Sequence, residues 1–496
     1  MPRTITPYRA ALLATTALAL VCMFPLWACA HPPLQDYPQH LFGAKLISQW
    51  LSPAGLSPGV YQVQLNPNYS VFYLLVAMLQ LALPLAAAGR AALSIYFVLT
   101  GLAAWRLVRL GTPERPAWGG LLLFPLALNQ FYYLGMIHYI YAMPLLFLAL
   151  LDLHAAVLAG WTRRRALLHA LLLVALFFVH PVALLVYVVV AALWLAVDFR
   201  DPLRRGRRAA VLAVAMGLGL VWFVTWALSA PPPGAPTQIV FSPVRENAIF
   251  LAYVFTGMRA HHGLDALTLL VYLVCAALTL GLAWRQGVTN GLLARLAGAA
   301  LVLTVAIVLF GPFAYRVPYV NLRWAPIGYF CLALLASLVR FPPRWAGLLL
   351  VLIVTLLALG VRKELAISRE SAQLDPLITQ MAPNQTVLPL VFDSASPECD
   401  AFDFSPHLHD HFSYSLHKGG VSPYVFGHQT PIHLRPGAVP AAPGTPVEFR
   451  WELHHGYHYY LVRGGSEKLF AYMERQANLR GISGAWRLYE NREPFP

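Results

Sequence analysis

The stretch YSVFYLLVAMLQLALPLAAA, residues 69–88, decides how this chain is threaded. Its length and apolarity suit a helix spanning ~30 Å of hydrocarbon. Gln80 and Pro84 argue the other way, because a polar amide and a helix-breaking proline favour the membrane surface over its centre. Around it lies a chain of 496 residues, 58% hydrophobic and only 11% charged, with mean hydropathy +0.60. That balance excludes a soluble globular protein. The apolar runs show no alternation of period two, which excludes a membrane barrel. The chain therefore reads as an all-α polytopic membrane protein.

Other candidate spans lie at 10–30, 91–109, 117–132, 138–158, 168–179, 182–197, 209–229, 265–284, 291–312, 326–340 and 344–360. The 168–197 run divides at His180-Pro181 and reads as two short helices that go out and return. If 69–88 also crossed, the tracts RLVRLGTPER (106–115) and TRRRA (162–166) would emerge outside. If it lies in the outer interface or dips into it, every arginine tract returns to the cytoplasm, as the positive-inside rule requires. The expected architecture is 11 crossings plus a re-entrant or interfacial helix, with the N-terminus cytoplasmic. Ala28-Cys29-Ala30 fits a leader-cleavage site, but the length of run 10–30 favours an uncleaved anchor. Loop arginines account for much of the basic charge, so nucleic acid is not expected as a partner.

On this threading the polar groups gather outside. The first outer loop, 31–90, opens with HPPLQDYPQHLFGAK (31–45), in which Asp36 lies between Pro33 and Pro38. An acid held there can serve as general base toward a hydroxyl or help to hold a divalent cation. The plain alternative is a helix N-cap, since Asp36 precedes the helical pattern YPQHLFGAKLISQW. His40, four residues on, shares its helical face and would orient Asp36 or touch a phosphate. Lys45 reads as a snorkelling lysine or a phosphate contact.

An anchor helix followed by an outer loop with a proline-flanked Asp and Pro-x-His-Leu resembles the opening of GT-C class membrane glycosyltransferases. These include the polyprenyl-phosphate-sugar-dependent mannosyl- and aminoarabinose-transferase families. In that class a catalytic acid lies early in the first extracytoplasmic loop, which continues as helices along the membrane. The segment NPNYSVFYLLVAMLQLALPLAAAGRAAL (66–93) looks like that continuation. The resemblance covers the layout of residues 1–360, with 361–496 as an extracytoplasmic C-terminal domain. It implies a bacterial inner-membrane enzyme of the cell envelope that takes its sugar from a polyprenyl-phosphate carrier. The acceptor would be a glycan, lipid or protein at the periplasmic face, and Asp36 would be the base. Those families often carry two adjacent acids, whereas Tyr37 follows Asp36 here; a divalent cation is therefore left open as cofactor.

Further outer groups fit a donor site. Arg316 and Arg323, in AYRVPYVNLRWAP, sit outside against the positive-inside trend and suit a lipid phosphate, with Asn321 beside them. Headgroup binding or pairing with Asp265 or Glu246 is the alternative. His138 and Tyr139, in the aromatic turn YYLGMIHYIY (132–141), read as an interfacial belt or a sugar-stacking surface. His180 would line the site or satisfy carbonyls freed by Pro181. Glu246, in loop 230–264, is the best second carboxylate if a metal is present.

The C-terminal region alternates short apolar runs, VLPLVF (387–392) and HYYLVR (458–463), with Pro/Gly-rich connections, which predicts a small α+β domain. HLHDH (407–411) on a strand would put three imidazoles on one face, making zinc chemically feasible, though a surface or substrate-facing His-rich strand is the favoured reading. Of the five cysteines only Cys399 lies in this region, which leaves no disulfide within it. No Walker A loop, GxGxxG fingerprint or GxSxG elbow is present. The competing functions are a glycolipid or small-molecule transporter or flippase, which predicts acids within the spans, and a non-catalytic envelope-assembly protein.

Overall fold

A computed structural model describes residues 6–52, 55–56, 59–64, 68–197, 202–228, 238–256, 262–288, 291–314, 319–399, 404–425 and 431–493. Helices α1 (Pro7–Ala28), α2 (Tyr37–Leu51), α3 (Val71–Leu79) and α4 (Leu85–Val108) open the chain, with strand β1 (Tyr61–Val63) between α2 and α3. After α5 (Leu123–Ala127) and α6 (Gln130–Tyr133) come α7 (Ile137–Ala159), α8 (Arg163–Val179), α9 (Pro181–Val197) and α10 (Pro202–Leu228). They are followed by α11 (Val244–Thr256), α12 (His262–Arg285), α13 (Leu292–Phe310), α14 (Ala325–Leu338) and α15 (Pro343–Ser371). Among the described residues, α1, α4, α7, α13 and the stretch containing α15 are long and apolar enough to cross a membrane.

The opening stretch is not one helix. Its first part forms α3, nine residues long, which rises only ~14 Å. A turn over 80–84 then leads into α4, capped at Pro84. Ser70 and Val76 lie buried while Met78 and Leu81 are exposed, so α3 packs one face on α2 and α4.

The expected helix at 117–132 is corrected. The segment is a 3-10 turn (Trp118–Leu122), then α5, then α6. Close packing explains the break. A Cβ at Gly120 would lie 2.8 Å from the Leu107 Cβ, and one at Gly119 would lie 2.7 Å from the Ala336 Cβ. Asn129 ends the run by accepting the N–H groups of Phe131 and Tyr132 and so capping α6. The chain nevertheless runs the length of α4. It starts beside Leu107, passes Tyr96, whose hydroxyl donates to the Ala127 carbonyl, and reaches Gln35 at Tyr133. Irregular backbone at this depth is tolerated because protein covers it: Leu121, Phe124, Phe131 and Tyr132 are all buried.

The 168–197 run breaks where expected. His180 is extended, with φ −161°, between α8 and α9. Helix α15 outruns its apolar stretch and ends at Ser371, so a boundary at 361 falls inside a helix.

The remaining elements are α16 (Asp375–Gln380), β2 (Val387–Val391), α17 (Phe412–Lys418), β3 (Ile432–Leu434), α18 (Trp451–His454), β4 (Tyr459–Arg463), α19 (Glu467–Gln476), β5 (Ala477–Ser483) and β6 (Trp486–Asn491). Strands β2, β4, β6 and β5 form one sheet in that order, with β2 and β4 parallel and the other pairs antiparallel. Both faces are covered, which is why its inner strands read as unbroken apolar runs. Tyr459 and Leu461 pack under α16, while Tyr460 and Val462 pack with Phe470 and Met473 of α19.

This C-terminal unit is bound to the first loop. Strand β1 pairs antiparallel with β3, from Tyr61 opposite Leu434 to Val63 opposite Ile432. His31 meets Asp375 at 3.0 Å, and the Gln39 amide donates to the Tyr424 carbonyl at 2.9 Å. HLHDH forms turns leading into α17, not a strand. His407 is bonded to Asp410 at 2.8 Å and to Glu370 at 3.1 Å, whereas the His409 and His411 rings lie together with centroids 6.0 Å apart.

Candidate functional site

Pro38, second residue of α2, has its φ already set for the first turn, and Asp36 stands at the N-cap position. Yet the Asp36 carboxylate makes no capping bond. Its backbone is helical there, with φ −91° and ψ −5°, rather than in the extended region typical of a capping residue. The N-cap reading of Asp36 therefore fails, and its carboxylate is available for other work.

Gly135 shapes the cradle. At φ +75° it adopts a conformation that disfavours side chains, and a Cβ there would lie 2.8 Å from the Asp36 nitrogen. The Asp36 N–H donates to the Leu134 carbonyl. The Gln35 amide donates to Asp36 Oδ1 at 3.2 Å, and His409 Nε2 lies 3.4 Å from the same oxygen. Burial pushes the Asp36 carboxyl up to about 7, opposed by the Gln35 hydrogen bond. An acid so placed exchanges its proton near neutrality.

Imidazoles and tyrosines lead away from this carboxyl. His40 Nδ1 is 2.6 Å from the Tyr73 hydroxyl, and its ring meets His138 edge-on with centroids 5.9 Å apart. Burial pushes the His40 imidazole down to about 4, so it is neutral at physiological pH. Tyr69, at φ +64°, presents its ring to His138 at 5.8 Å and to His180 at 5.2 Å.

Arg323 closes the row. It is buried, and its guanidinium donates to His180 Nε2 at 3.2 Å. Because Arg can only donate, His180 Nε2 must accept, which places the ring proton on Nδ1. Among the described residues His138 Nε2 is buried without a hydrogen-bond partner, while the His180 ring also bonds its own backbone. Tyr139 donates to the Arg323 carbonyl and lies under its guanidinium, 5.8 Å from the ring centroid. Ring contacts thus run from His40 through His138 and Tyr69 to His180, where the buried cation of Arg323 ends the row.

Of the residues singled out in the sequence, Asp36, His40, His138, Tyr139, His180 and Arg323 come together. Lys45 does not join them: its ammonium donates to the Ser415 and Leu416 carbonyls at 3.0 and 2.8 Å. Asn321 is occupied by Asn247 and the Val308 carbonyl. Glu246 is exposed in the first turn of α11. Arg316 lies outside the described residues. No group of three metal-binding side chains occurs among the described residues.

Sequence reading missed Gln35, Tyr69 and Tyr73, and it singled out His409 within HLHDH without its link to Asp36. It also missed Glu364, fully buried in α15, whose carboxyl takes hydrogen bonds from Tyr132 at 3.4 Å and Tyr133 at 3.2 Å. Only Gln35 carried a local signal, its adjacency to Asp36. Comparison with known protein families, curated proteins and solved structures finds no match for this chain.

Proposed function

We propose that this is a membrane-embedded transferase of the GT-C kind, with its chemistry at the mouth of the helical region. More particularly, it moves a sugar from a polyprenyl-phosphate carrier to an acceptor hydroxyl, with Asp36 as general base. The observation that carries this reading is the Asp36 carboxyl, half-buried, tuned toward neutrality and beside a histidine- and tyrosine-lined row that ends at Arg323. Asp36 takes the acceptor's proton as the acceptor oxygen bonds to the anomeric carbon. The bond from that carbon to the phosphate oxygen breaks, and polyprenyl phosphate leaves with its charge held at Arg323. His138 Nε2 meets the polar atoms between. The apolar helices hold the prenyl chain in lipid.

In this reading the membrane is the bacterial inner membrane, the N-terminus is cytoplasmic, and Asp36 faces the periplasm. The C-terminal region shares that side, because His409 touches Asp36. The short α3 and the arginine tracts support the threading of 11 crossings.

The test is reconstitution into liposomes with polyprenyl-phosphate hexose or aminoarabinose as donor and envelope lipid extract as acceptor, following release of polyprenyl phosphate. Asp36→Asn should lower the rate by ~100-fold or more; transfer at the wild-type rate would overturn the assignment. Glu364 favours a second reading, a lipid flippase, since a buried acid in a spanning helix is what transport predicts. Loss of lipid translocation in Glu364→Gln, with Asp36→Asn unaffected, would select it.

A further inference from the structure

The C-terminal region does more than sit beside Asp36. We infer that Gln35 is the positioning residue of Asp36, and that the backbone N–H of Ser405 sets it. The inference rests on reading Asp36 as the base.

A glutamine amide has two unlike ends, and its environment decides which end faces which neighbour. The Ser405 N–H donates to Gln35 Oε1 at 2.7 Å. A backbone N–H can only donate, so the oxygen must face Ser405. The amide nitrogen must then face Asp36 Oδ1, 3.2 Å away. The flipped amide would set N–H against N–H and oxygen against carboxylate, losing both bonds. Gln35 is pinned in its main chain too, since its N–H donates to the Tyr133 carbonyl at 2.8 Å.

The same segment supplies the second contact, His409 Nε2 at 3.4 Å, again to Oδ1. Burial holds the His409 imidazole well below its usual range, so the ring is neutral and can present an N–H to the carboxylate. Both contacts fall on one oxygen, which leaves Oδ2 to receive the acceptor's proton. The segment is itself braced. His407 is held between Asp410 and Glu370, and Lys45 grips the carbonyls of Ser415 and Leu416. Residues separated by 370 positions thus complete the environment of one carboxyl.

The test separates backbone from side chain. Ser405→Pro removes the N–H that orients Gln35, while also fixing φ there and restricting Phe404, and Ser405→Ala keeps the N–H; Gln35→Met keeps the length and removes both amide ends. Two readouts are taken. One is kcat and KM for transfer from the polyprenyl-phosphate sugar; the other is carbodiimide labelling of Asp36 against pH, read by mass spectrometry. The titratable groups that face Asp36 among the described residues are Tyr73 on α3 and His409 in the C-terminal segment, with His40 and His411 beside them in the same cluster. Burial keeps His40, His409 and His411 neutral.

Ser405→Pro and Gln35→Met should each lower kcat about tenfold with KM unchanged, and move the labelling midpoint up by about one pH unit, because a bond to the charged form is lost. Ser405→Ala should match wild type. If Ser405→Pro fails to fold, Gln35→Met decides. Wild-type kcat and an unmoved labelling midpoint in Gln35→Met would overturn the inference. Full activity in Asp36→Asn, with the midpoint still moving in Gln35→Met, would sink the catalytic reading alone.

Discussion

Replacing Asp36 by Asn should stabilise the protein, and only as the pH rises. The folded carboxyl sits up at about 7 through burial, against ~4 in an unfolded chain. Between those values the folded state binds more protons than the unfolded state, so stability falls as pH rises through the window and stays low above it. Three pH units at ~1.4 kcal/mol each give ~4 kcal/mol at pH 8 as an upper bound. The side chain keeps 18% of its exposure, and screening by that water brings the working figure to ~2 kcal/mol. Asn keeps the shape without a charge to desolvate. The assay is the apparent melting temperature in detergent at one fixed heating rate, at pH 4 and pH 8. The variant should gain ~2–4 °C over wild type at pH 8 relative to its difference at pH 4. A difference of the same size at both pH values would refute the claim that burial raises this carboxyl.

Gly135→Ala should cost ~1–2 kcal/mol through its left-handed backbone. It should also lower transfer, because the new Cβ presses on the Asp36 nitrogen; unchanged melting and unchanged kcat together would count against the cradle. Lys45→Met removes two hydrogen bonds to α17, worth ~1–3 kcal/mol, and should speed proteolytic cutting within 404–425 relative to wild type. Reporters inserted after residues 112 and 163 should read cytoplasmic and one after 370 periplasmic. An outside reading at 112 would mean that the early threading is wrong.

The sequence reading did best where structure is local. The His180-Pro181 break and the α+β character of the C-terminal region follow from proline chemistry and from short apolar runs set between Pro/Gly-rich connections. It failed where tertiary contacts decide. Residues 117–132 are as apolar as a spanning helix, and only the close approach of Gly119 and Gly120 to neighbouring helices shows why they are not one. Asp36 has the identity and position of a cap, but its backbone angles withdraw it from that role. HLHDH looks like a strand until Asp410 and Glu370 claim His407. His409 and Ser405 carry no local mark of their link to Asp36, since nothing periodic connects residues so far apart in the chain. Glu364 was passed over because the apolar run ends at 360, whereas a helix continues until its backbone is capped.

The contact between the Gln35–Asp36 pair and residues 405–409 also bears on how the protein is made. A chain emerging into a membrane commits its first loop long before residue 405 is synthesised. Until then Asp36 has neither the ordered amide nor the imidazole against its carboxyl, and water reaches a group that the finished fold half-buries. A carboxyl in water is an ordinary weak base, so on the function proposed above the nascent protein would rest among its substrates without consuming them. The carboxyl reaches its finished environment only with the last-made part of the molecule, when the C-terminal region docks through β1 and β3.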